Sequence, residues 1–209
     1  MSESERRLHQ YFKGWPNPSN QYMQDLVWAM KIGIQFLNSI KDKPSAKQKC
    51  VVFDFDDCLV FGDPASVVGV REMELGEHDG NEIFTLPRNE PIVKLAEYAK
   101  SIKYMIIILT ARPKTSREAT RWNCRDFRIP YDAIIMNDAD DDACFKVNVR
   151  RRIAAKYDVV LTVGDQITDC LCPGAKTAFI KLPDPGSYDD DKKIYSNMSL
   201  ASYAWIPQG

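Results

Sequence analysis

Long apolar runs are missing from this chain. No stretch approaches the roughly 20 residues that a membrane-spanning helix needs, and the longest apolar segments are only strand-sized. The first residues, Met-Ser-Glu-Ser-Glu-Arg-Arg, lead into polar sequence without an apolar signal core. A cytoplasmic protein with no membrane partner is therefore expected. A surplus of either charge is missing too: 28 basic and 29 acidic residues leave a formal net charge of -1. Bulk attraction to nucleic acid is not indicated, although a local patch or a nucleic-acid substrate stays open. Histidine is scarce, and His9 and His78 lie far from any cysteine pair. Six cysteines (Cys50, Cys58, Cys124, Cys144, Cys170 and Cys172) match no zinc-binding spacing. Cys170 and Cys172 are too close for an easy mutual disulfide, so the cysteines are read as reduced, mostly buried thiols.

What is present is an ordinary globular composition: 209 residues, 44% hydrophobic and 27% charged, enough for one good core. The most informative stretch is residues 50–60, where an apolar run ends in Asp54, Asp56 and Asp57 and then turns apolar again. A short run of β-branched and aromatic residues reads as a buried strand of a parallel sheet. Acids at the carboxyl end of such a strand lie where open α/β sheets bind ligands. Alternation along extended chain turns Asp54 and Asp56 to one side and Phe55 to the other. Two carboxylates that close repel each other unless a cation or a shared proton intervenes.

Taken in order, the chain begins with a polar arm and a helix through about residue 40, capped by Ser19 or Asn20. Met23, Leu26, Val27, Met30, Ile34 and Leu37 form the apolar face of that helix, which packs on the core or, alternatively, makes an oligomer contact. Residues 61–90, with scattered Gly and Pro, read as a loop or small hairpin flap of about 30 residues and no large cap domain. A regular alternation follows. Helices are expected over 91–101, 114–127 and 145–157, and strands over 104–109, 131–136, 159–163 and 178–182. The expected fold is α/β, a three-layer Rossmann-like parallel sheet with right-handed crossovers. The expected division is 1–47 for the arm and helix, 48–183 for the catalytic domain with its flap, and 184–209 for a tail packed across the surface, all one globular unit. The acidic run at 137–142 lacks the glycine and terminal glutamate of a calcium loop and reads as solvated. Arg150, Arg151 and Arg152 read most simply as the exposed face of a helix, with a nucleic-acid contact as the minority reading.

Polar groups close three different strands: Asp54 with Asp56, Thr110, and Asp165 with Asp169, while Lys146 opens a helix. In a parallel sheet all these ends share one edge. In this order and spacing the chain resembles the haloacid dehalogenase (HAD) superfamily of phosphatases over roughly residues 48–182. Asp54-Phe55-Asp56-Asp57-Cys58-Leu59 is similar to the first motif, with Cys58 where Thr is usual. Leu109-Thr110-Ala111-Arg112-Pro113 resembles the second, Lys146 is taken as the third with Lys114 and Lys156 as rivals, and Gly164-Asp165-Gln166-Ile167-Thr168-Asp169 resembles the fourth. The Thr-Ala-Arg-Pro and Gly-Asp-Gln runs look most like the class B acid phosphatase branch.

The resemblance implies a Mg²⁺-dependent phosphomonoester hydrolase. Asp54 would form an aspartyl phosphate and Asp56 would serve as general acid and base. Thr110, the backbone at Ala111 and Lys146 would hold phosphoryl oxygens. Asp54, the backbone carbonyl of Asp56 and Asp165 would hold Mg²⁺, with Asp169 orienting metal waters or Lys146. Asp56 argues against a dehalogenase, which has no leaving oxygen to protonate, and the first-strand position of Asp-x-Asp argues against a phospho-accepting receiver domain. A silent binding protein on the same fold remains the alternative. Nucleotide, nucleic-acid end, phosphoprotein and sugar phosphate all remain as substrates.

Overall fold

The computed structural model describes residues 20–61, 75–78, 81–84, 88–137, 145–171, 176–183 and 203–207. The N-terminal arm, most of the flap, the acidic run after Asn137 and most of the C-terminal segment lie outside them.

Helix α1 (Gln21–Ile40) starts at Asn20, whose side-chain oxygen accepts the backbone N–H groups of Tyr22 at 2.8 Å and Met23 at 3.4 Å. That cap satisfies two of the four amides a helix start leaves without partners. Strand β1 (Lys49–Phe53) follows, then a hairpin of β2 (Leu75–His78) and β3 (Asn81–Phe84) in the expected flap. Next come α2 (Glu90–Ser101), β4 (Met105–Pro113), a 3₁₀ turn at Lys114–Ser116, α3 (Arg117–Asp126) and β5 (Ala133–Asn137). The last part contains α4 (Phe145–Lys156), β6 (Asp158–Gly164), the short α5 (Ile167–Cys170), β7 (Ala178–Lys181) and β8 (Tyr203–Trp205).

Six strands form one sheet in the order β5-β4-β1-β6-β7-β8, parallel throughout except for β8. β1 sits in the middle, which explains why its residues are apolar on both faces. Val51 and Phe53 face a core shared with α1 and α2; Cys50 and Val52 face a second core beneath Val149 and Ile153 of α4. The fold is thus a mostly parallel α/β sheet between helical layers. Among the described residues the insertion after β1 shows a single hairpin and no large cap. No described helix is long and apolar enough to cross a membrane. The four described cysteines, Cys50, Cys58, Cys124 and Cys170, are buried thiols.

Two differences from the sequence reading matter. Tyr203–Trp205, expected to lie in a tail across the surface, instead pairs antiparallel with β7, and the Trp205 ring stacks on Phe179 with centroids 5.9 Å apart. Arg150, expected on an exposed helix face beside Arg151 and Arg152, is 1% exposed. Its buried guanidinium has a structural task described below; Arg151 and Arg152 do face solvent.

Candidate active site

β1, β4 and β6 are adjacent, so their carboxyl ends meet at one place along the sheet edge. Asp54 follows the last residue of β1, and its backbone N–H donates to the Val163 carbonyl of β6 at 2.9 Å. The Cys58 thiol donates to that same carbonyl at 3.6 Å. Cys58 therefore does what a small hydroxyl would do here, closing the turn after the acids. Burial first, then the charges of Asp54, Asp165 and Asp169, push the Cys58 thiol well above its ordinary range, so it stays protonated. Asp57 takes a φ of 53°, a left-handed conformation that Asp tolerates better than most residues, and it belongs to the turn.

Lys146, on the first turn of α4, lies between two acids: its Nζ is 2.8 Å from Asp54 Oδ2 and 2.8 Å from Asp169 Oδ1. Neither Lys114 nor Lys156 occupies that place. Asp54, Asp165 and Asp169 are all buried, and each offers a carboxylate oxygen within 4.8 Å of the other two. Burial, and after it the charge of Asp169, raise the Asp54 carboxyl to about 7 despite the opposing Lys146 charge. For Lys146 burial works against the charged form, but Asp54 and Asp169 outweigh it and hold the ammonium charged. Three buried carboxylates grouped this closely form an all-oxygen donor set. A hard divalent cation with oxygen ligands fits such a donor set.

The fourth segment is shaped by Gly164. A Cβ there would come within 2.3 Å of the Asp169 Cβ, so only glycine lets α5 fold back over the end of β6. Asp169 then takes part in a capping box: its Oδ2 accepts the Gln166 N–H at 3.2 Å while its Oδ1 meets Lys146. Arg150, one helical turn after Lys146, donates Nε to the Leu171 carbonyl at 3.0 Å and Nη2 to the Thr168 carbonyl. A buried cation thus satisfies carbonyls at the end of α5 and ties that helix to the helix carrying Lys146.

Asp56 stands apart from the buried triad. Its carboxylate is gripped by Arg112, with Nε at 3.1 and 2.9 Å from Oδ1 and Oδ2 and Nη2 at 2.6 Å from Oδ1. Arg112 is itself held: Nη1 donates to Thr120 at 3.2 Å and Asn123 at 3.4 Å on α3, and its guanidinium lies 4.5 Å from the centre of the Phe55 ring. Thr110 is buried, and its hydroxyl oxygen accepts the Arg112 N–H at 3.1 Å, which leaves the hydroxyl proton to be donated. Ala111 is exposed between them.

The structure therefore brings Asp54, Lys146, Asp165 and Asp169 together and sets Asp56 and Thr110 beside them through Arg112. Sequence reasoning assigned no role to Arg112 or Arg150. The structure shows why each matters. β4 runs on through Pro113, so residues 110 and 112 share a side of the strand, and residues 146 and 150 share a side of the helix.

The family described as HAD superfamily, subfamily IIIB (Acid phosphatase), matches residues 5–190. The chain belongs to this family. It is accordingly a phosphatase, and the class B branch suggested by Thr110-Ala111-Arg112-Pro113 agrees with the family's description. No curated protein matches the chain. Among solved structures, the class C acid phosphatase from Bacillus anthracis aligns with a TM-score of 0.61 and 16% identity, over 83% of this chain and 72% of that one. The same enzyme with tungstate bound aligns at 0.57 and 15%, over 76% and 67%. At such identities the likeness is one of fold. A chain of the Pnkp1/Rnl/Hen1 complex aligns less well, at 0.49 and 22% over 62% of this chain and 43% of that one.

Proposed function

We propose that this acid phosphatase-family chain is a Mg²⁺-dependent phosphomonoester hydrolase that works through an aspartyl phosphate on Asp54. The observation that carries the reading is the placement of Asp54: a buried carboxylate at a strand end, 2.8 Å from a lysine and grouped with two further acids. Asp54 attacks phosphorus in line, forming its own oxygen–phosphorus bond as the bond to the leaving oxygen breaks. Asp56 gives that oxygen a proton, and the alcohol departs. Water then attacks the aspartyl phosphate, its proton passes to the Asp56 carboxylate, and inorganic phosphate leaves with Asp54 restored.

Thr110 donates its hydroxyl proton, the backbone at Ala111 its N–H, and Lys146 its charge to the phosphoryl oxygens. Asp54, the Asp56 carbonyl and Asp165 would hold Mg²⁺, with Asp169 orienting Lys146. The ion supplies charge neutralisation for the crowded acids and the phosphoryl group. Arg112 is a positioning residue in this scheme, because it fixes where the Asp56 carboxylate points. A reducing, cytoplasmic setting suits the four buried thiols.

The test is p-nitrophenyl phosphate hydrolysis by wild type and Asp54→Asn, with Mg²⁺ and with chelator. The reading expects metal-dependent turnover that falls by at least about 10³-fold in Asp54→Asn. Turnover of equal size in both proteins would sink it.

A further inference from the structure

The chain as a whole is nearly neutral, yet the segment after Arg112 is not. Lys114, Arg117, Arg121, Arg125 and Arg128 stand there against Glu118 and Asp126. With about 3.6 residues per turn, residues four apart drift by only about 40° around the helix. Arg117, Arg121 and Arg125 of α3 therefore form one stripe, and Asp126 lies on the opposite flank. Arg121 and Arg125 are exposed and Arg117 half-buried; Lys114 and Arg128, both exposed, stand just before and just after the helix. Glu118 borders the stripe and meets Arg121 at 2.9 Å, an exposed pair of small net strength that a stronger anion can displace.

The row starts at the crevice. Arg112 grips Asp56 and donates to Thr120 in the first turn of α3, so the stripe is tied to a residue that touches the reaction site. From there α3 runs 10 residues, about 15 Å, toward the other edge of the sheet. The charges thus continue past the place where a single phosphate would sit. A phosphopeptide brings one phosphate and leaves the row unmatched. A membrane-binding helix sets its cations beside an inserting apolar face, whereas the face of α3 opposite solvent is buried on Thr120, Asn123 and Cys124. A polymer with a phosphate at every unit matches the row.

We propose that this stripe of α3 carries the backbone of a single-stranded nucleic acid whose terminal phosphomonoester enters the crevice. The inference rests on the phosphatase reading above and narrows its substrate class. Its test compares a short oligothymidylate phosphorylated at either terminus with thymidine monophosphate, following kcat/KM across KCl concentrations. Each backbone phosphate contacted adds about −0.7 to the log–log salt slope, so three contacts give a slope steeper than the mononucleotide's by about 2. The Arg117→Gln, Arg121→Gln, Arg125→Gln triple variant loses most of that difference and raises KM for the oligonucleotide roughly tenfold or more. Equal slopes for the two substrates overturn the proposal, as do an unaltered slope in the variant and a preference for a phosphopeptide. Turnover of p-nitrophenyl phosphate with none of the oligonucleotide overturns this proposal alone, whereas loss of both overturns the phosphatase reading and this one with it. If the triple variant does not fold, the two wild-type slopes decide the matter.

Discussion

Asp54, Asp56 and Asp57 are neighbours in sequence and do three different things. Asp54 is buried against Lys146, Asp56 is held outside the triad by Arg112, and Asp57 bends the turn. The separation follows from the strand's alternation and from one left-handed residue. Arg112→Ala is expected to leave the fold intact and lower kcat by about 10²-fold, because Asp56 loses three bonds that aim it. Steady-state kinetics of p-nitrophenyl phosphate hydrolysis, with circular dichroism as the folding control, checks this; an unchanged kcat would remove Arg112 from the scheme. The sequence motif contains this arginine but gave a role only to the acids and Thr110. A polar residue two places beyond a strand's apparent end carries no apolar signal, and only the continuation of β4 to Pro113 shows which way it points.

At the scale of elements, the site depends on α5 lying against the end of β6. Gly164 makes that approach, and Gly164→Ala drives a methyl into Asp169 at about 2.3 Å. Overpacking of this kind costs about 1–3 kcal/mol. It also displaces the carboxylate that meets Lys146. The expected result is a lower melting temperature together with activity lost well beyond what the destabilisation explains. A variant with wild-type kcat would show that α5 can shift without consequence. Arg150 acts on the same element from the other side. Arg150→Leu leaves two carbonyls at the end of α5 without their partner, at about 1–3 kcal/mol each, and urea denaturation reads the loss. The run Arg150-Arg151-Arg152 looks in sequence like one solvated patch. Burial of its first member depends on where α5 packs, and that is a long-range fact no local pattern contains. By contrast β1, α2 and β6 were legible, because a central parallel strand and an amphipathic helix each impose their own periodicity. The β8 pairing was not, since three residues carry too short a pattern to read.

For the whole molecule, the buried acids link stability to pH. The Asp54 carboxyl titrates near 7 in the fold against an ordinary 3.8, because burial and then Asp169 disfavour its charge. A raised folded value means the proton is bound more tightly in the native state. Its stabilising contribution is complete below the ordinary value and fades as pH rises through 7. Divalent cation binding needs the ionised form, so a Mg²⁺ held at Asp54 would reverse the sign. The melting-temperature increase from Mg²⁺ is expected to be small at about pH 5 and larger at about pH 8. Differential scanning fluorimetry at the two pH values tests this, and an increment independent of pH would contradict the assignment of the metal to Asp54.

Capture of the phosphorylated Asp54 tests the covalent step without relying on steady-state rates. Wild-type protein and Asp54→Asn are mixed with substrate and Mg²⁺, quenched in acid within a turnover, and digested for mass spectrometry. One added phosphoryl group is expected on the peptide bearing Asp54, absent from the variant and lost on treatment with hydroxylamine. Rapid turnover with no phosphoryl group on that peptide at any quench time, or with one on a different residue, would contradict it.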